Sequence, residues 1–84
     1  MITGAQIRGA RALLGWSVDK LARRARLTGD CVRRAESVDD DPPVTIANIY
    51  AIERALEEGG VEFVDRTAPL PTFGFGACRL RSST

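Results

Sequence analysis

Four times in this chain of 84 residues an apolar residue is followed by Ser or Thr, three arbitrary residues and a second apolar residue. The instances are Ile2-Thr3…Ile7, Trp16-Ser17…Leu21, Leu27-Thr28…Val32 and Val44-Thr45…Ile49. Each reads as a helix N-terminus: the hydroxyl accepts from orphan N–H groups of the first turn, and the apolar pair staples the entry around it. Gln6 adds a capping box to Thr3. Glycines mark two of the ends, Gly15 after the first helix and Gly59-Gly60 after the last. The pattern predicts helices over residues 4–14, 18–25, 29–37 and 46–58. The second is so short that it must give way at once to the third.

Apolar spacing turns these helices into one body. Ile7, Ala10, Leu13 and Leu14 share a side of the first helix; Leu21, Ala22 and Ala25 belong to the second; Val32 and Ala35 to the third. The fourth offers Ile46, Ile49, Tyr50, Ile52 and Leu56. Ala22, Ala25 and Ala35 are small enough to let the short helices approach closely. Two short helices with a tight turn between them, flanked by one helix on each side, are the outline of a helix-turn-helix domain.

At 84 residues there is room for a single core, and chains this small often lean on self-association. No apolar run approaches membrane-spanning length and no cationic leader precedes one, so no membrane partner and a cytoplasmic location are expected. There is no histidine, and the two cysteines, Cys31 and Cys78, form no CxxC pair. Metal sites and histidine-based catalysis have almost no raw material, and both thiols are expected to be buried, reduced and unpaired. No nucleophile elbow or phosphate-cradling glycine loop occurs either, so neither an enzyme nor a cofactor is expected.

The net charge of +1 conceals a strong polarity. Residues 1–35 hold eight cations (Arg8, Arg11, Lys20, Arg23, Arg24, Arg26, Arg33, Arg34) against Asp19 and Asp30, a net +6. Residues 36–65 hold nine acids against Arg54 alone, a net −8, and Arg66, Arg79 and Arg81 return +3. A domain so divided suits a polyanion on its basic part, while its acidic part faces away or meets a basic protein.

After the double glycine the helical period stops. Residues 61–65 (VEFVD) and 77–81 (ACRLR) read as strands, and the Pro- and Gly-containing segment 66–76 reads as a loop. The expected organisation is a four-helix body over residues 1–60, a β-hairpin arm over 61–81 and a frayed tail over 82–84. A lone hairpin is marginal in water. Val61, Phe63, Phe73, Phe75 and Leu80 are therefore the candidates for a dimer or partner interface.

Three stretches together carry a family resemblance: Arg8-x-x-Arg11-x-Leu13-Leu14-Gly15-Trp16-Ser17, then Leu21-Ala22-Arg23-Arg24-Ala25, then Leu27-Thr28…Val32-Arg33-Arg34-x-Glu36. They resemble the phage-repressor-like (Xre/Cro-type) helix-turn-helix family of small bacterial transcriptional regulators, over about residues 2–64. The resemblance implies a mainly α, repressor-like body whose third helix, beginning after Thr28, reads DNA. Its implied contacts are Thr28, Gly29, Asp30, Arg33, Arg34 and Ser37, with Arg23 and Arg24 on the phosphate rim. The chain departs from that family at Val18 (usually Gln), Arg26 (usually a left-handed Gly), Gly29 and Asp30 (usually reading residues) and the acidic run Asp39, Asp40, Asp41. Two functions follow as expectations. One is a homodimeric regulator binding a palindromic operator in double-stranded DNA through its third helix. The other is a degenerate helix-turn-helix acting on another regulatory protein as adaptor, anti-repressor or antitoxin-like inhibitor.

Overall fold

The structure, a computed structural model, describes residues 2–63 and 78–80. It is mainly helical, with four helices: α1 (Gly4–Leu14), α2 (Val18–Ala25), α3 (Gly29–Glu36) and α4 (Ile46–Gly59). Two short strands, β1 (Val61–Phe63) and β2 (Cys78–Leu80), pair antiparallel with Val61 opposite Leu80 and Phe63 opposite Cys78. The expected loop, with Phe73 and Phe75, lies outside the described residues, as does the tail.

All four helices begin where the hydroxyl signatures place them. Thr3 accepts from the Gln6 N–H at 3.1 Å, Ser17 from Lys20 at 3.1 Å, Thr28 from Cys31 at 3.2 Å and Thr45 from Asn48 at 3.2 Å. The Thr3 N–H donates to Gln6 Oε1 at 2.8 Å and completes the capping box. Both helix ends marked by glycine carry left-handed residues, Gly15 and Gly60. Gly59 itself remains helical, one residue beyond the expected end. A Cβ there would meet the Trp16 ring at 2.6 Å, so the bare backbone lets the indole approach the end of α4. The turn from α2 to α3 passes through Arg26 at φ 60°, a left-handed conformation carried by a side-chain-bearing residue.

The core joins Ile2, Ile7 and Ala10 of the first segment to Leu21, Ala22 and Ala25 of α2, Val32 and Ala35 of α3, and Ile49, Ile52, Ala55 and Leu56 of α4, with Trp16 and Val61. Two expectations for α4 are corrected here: Ile46 and Tyr50 are 56% and 57% exposed. At about 100° per residue the stripe centred on Ile49, Ile52 and Leu56 leaves both of them well off the buried side. Ala55 of α4 and Val61 of β1 are buried. The short sheet lies against α1 and α4. Neither Cys31 nor Cys78 is in a disulfide, but each is half-buried rather than buried. Among the described residues, no helix is long and apolar enough to cross a membrane.

Candidate nucleic-acid interface

The candidate surface is the outer face of α3, and its orientation is fixed from behind. Val32, Ala35 and Glu36 point inward. The Glu36 carboxylate is buried and takes two hydrogen bonds from Arg11 of α1, Nε to Oε2 at 2.9 Å and Nη2 to Oε1 at 3.0 Å. Arg11 also donates to the Trp16 carbonyl at 3.0 Å. Hydrogen bonding to Glu36 raises the Arg11 guanidinium further above its ordinary value, against the opposing effect of burial. A forked pair of this kind sets direction as well as distance, so α3 is held in one rotation on α1. The sequence does carry a signal for it: Glu36 and Arg11 each fall one turn after an inward apolar residue, Val32 and Ile7.

Facing outward, the expected contact residues divide into two groups. Arg33 leans across the first turn of α3, 3.2 Å from Asp30 and 3.8 Å from Asp19 of α2. Gly29 makes room for this, since a Cβ there would sit 3.2 Å from both Arg33 Nη1 and Asp19 Oδ1. Arg34 is exposed and has no side-chain partner among the described residues. It lines a groove of about 560 Å³ together with Thr28, Asp30, Cys31, Pro43, Val44, Thr45 and Asn48. Inside that groove the Asn48 amide donates to Cys31 Sγ at 3.4 Å. Two capped helix N-termini, those of α3 and α4, open onto it. Such ends favour negative charge, as does Arg34, whereas Asp30 opposes it. Ser37 caps the far end of α3 and donates its hydroxyl to the Arg34 carbonyl at 2.6 Å. The contributions of Thr45 and Asn48 were not readable from sequence, because only the packing of α4 on the α2–α3 pair brings them there.

On α2, Arg23 is exposed, whereas Arg24 lies over the Trp16 ring at 5.3 Å, with Lys20 over the same ring at 5.4 Å. The acidic run sits elsewhere. The Gly4 N–H donates to the Asp40 carbonyl at 2.9 Å, and Arg8 donates to the carbonyls of Glu36 and Val38 at 2.5 and 3.1 Å and to the Asp39 carboxylate. A Cβ on Gly4 would fall 1.9 Å from the Val38 oxygen, so backbone lies directly on backbone there. Asp39 and Asp40 are thus clasped to α1, beyond the C-terminal end of α3.

Of the expected interface residues, Val61 is corrected: it is fully buried in the chain's own core and presents nothing to a second copy. Phe63 is partly buried and packs against that core, and Leu80 is 50% exposed.

No protein-family model, curated protein or solved structure matches the chain.

Proposed function

We propose that the chain is a helix-turn-helix transcriptional regulator of the phage-repressor-like kind, binding double-stranded DNA as a homodimer through α3. The observation that carries this is the outer face of α3. It is anchored from behind by Arg11–Glu36 and exposes an unpaired Arg34 beside two helix N-termini. Arg34 suits bidentate readout of guanine O6 and N7, and Asp30 suits the amino group of cytosine or adenine. Arg23 and the open ends of α3 and α4 suit phosphates. The left-handed Arg26 also supports the reading, because the turn takes the conformation of that family without its glycine. The acidic run is offset in part by Arg8, which pairs with the Asp39 carboxylate and the carbonyls beside it, and it follows the C-terminal end of α3 rather than its first turn. Dimerisation draws on the half-exposed Leu80 of the short sheet and would set the two α3 helices about 34 Å apart.

A mobility shift with duplex DNA at two salt concentrations tests this. Binding that weakens steeply with salt is expected, and Arg34→Ala should weaken a selected site by about 1–3 kcal/mol. Wild-type protein that ignores duplex DNA at about 50 mM salt, where ionic binding is strongest, refutes the proposal.

A second reading, recognition of a regulatory protein, is favoured by one observation. Arg33 is occupied by Asp19 and Asp30, while Ile46 and Tyr50 stand exposed one turn apart on α4. Under that reading Tyr50→Asp abolishes partner capture, and Arg34→Ala does not change it.

A further inference from the structure

Among the described residues, the arginines differ in whether a carboxylate holds them. Arg8, Arg11 and Arg33 are each held by a carboxylate. Arg24, Arg26 and Arg54 form no salt bridge among the described residues, yet all three line one groove of about 430 Å³ between the C-terminal end of α2 and α4. Its apolar floor is Ala25, Ala51 and Ala55, and Glu58 lines it as well. Cations brought together in so small a space repel one another. Arg26 adds a second observation: it keeps a long side chain at a left-handed turn position that favours glycine. Arg24 also lies over the Trp16 ring, at 5.3 Å.

We propose that this groove binds a compact polyanion, a small molecule bearing a phosphate or pyrophosphate group. Three guanidinium groups offer more donors than a single carboxylate can accept, and they match an anion whose oxygens point in several directions. The alanine floor accepts the apolar part of such a molecule. α2 is only eight residues long, so an extended peptide fits less well than a compact ligand. The groove involves no residue of α3, and the inference does not rest on DNA binding.

Trp16 is the only tryptophan and carries Arg24 on its ring, so its emission reports on the groove. The full chain is titrated with inorganic pyrophosphate against sodium chloride of equal ionic strength, with calorimetry as a readout independent of fluorescence. Saturable binding with a Kd below about 1 mM is expected. Arg54→Ala and Arg26→Gly, the latter preserving the left-handed turn, should each weaken it about tenfold. Circular dichroism verifies that both variants are folded. Absence of saturable binding by calorimetry, or unchanged affinity in both variants, overturns the proposal. Loss of duplex affinity in Arg54→Ala, with a shallower salt dependence, also overturns it by making the groove part of a DNA footprint. If pyrophosphate binds and duplex DNA does not, the groove stands and the regulator reading falls.

Discussion

Removing Glu36 should damage this protein more than any other single carboxylate. In Glu36→Met the Arg11 guanidinium loses both of its forked hydrogen bonds and keeps only the Trp16 carbonyl. Breaking a buried pair by deleting one partner destabilises by about 3–5 kcal/mol, because a charge is left behind uncompensated. The Arg11 side chain is 25% exposed, so water relieves part of this, and about 2–3 kcal/mol is the better expectation. Arg11→Met leaves a carboxylate that is only 8% exposed, and should therefore be at least as damaging. The double variant Arg11→Met/Glu36→Met removes both charges and fills the space with apolar atoms, and should recover to within about 1 kcal/mol of the parent. Urea unfolding of the four proteins measures this as a double-mutant cycle, with an unchanged slope as the check that the folded state is comparable. Additive single effects, each under about 1 kcal/mol, would show that the pair does not fix α3.

Three further outcomes follow from the same geometry. Arg26→Gly should raise stability by about 0.5–1 kcal/mol, since glycine meets no steric penalty at a left-handed helix end; thermal unfolding measures it. Gly4→Ala should lower stability by about 2 kcal/mol, despite the better helix propensity of alanine, because its Cβ would collide with the Val38 backbone oxygen. A stabilised variant in urea denaturation would contradict the close approach. Burial, followed by repulsion from Glu57, pushes the Glu53 carboxyl above its ordinary value, so the folded state favours the protonated form. Stability attributable to Glu53 is thus gained as pH falls through that raised value and lost as pH rises. Glu53→Gln should be more stable than the parent near neutrality and flatter in stability across the acidic range, as pH-dependent melting would show.

Local chemistry was the legible part of this protein. Each of the four hydroxyl caps involves residues three apart in sequence, and all four helix starts fall where those residues place them. The α4 stripe was misread at Ile46 and Tyr50, because residue type was weighed above angular position. Glu36 counted only as an acid, although its place on the inward face of α3 argued for a buried partner. The groove around Arg34 was beyond reach, since Thr45 and Asn48 join it through the packing of α4 rather than through any local pattern. Val61 looked like an interface residue for a related reason: a β-former after a double glycine says nothing of whether its strand folds back onto its own helices.

The contact between Gly4 and residues 38–40 has a topological consequence. A backbone hydrogen bond from residue 4 to residue 40 closes the chain around α1, α2 and α3, so these three helices form a ring, and α4 and the sheet are added to it. The entropy of closing that ring grows only slowly with the length of chain inside it, but it must be met before the forked Arg11–Glu36 pair and the Arg8 contacts give anything in return. Amides near a chain end ordinarily exchange freely with solvent. In this protein the Gly4 amide is the clasp itself, and it opens only when the ring does.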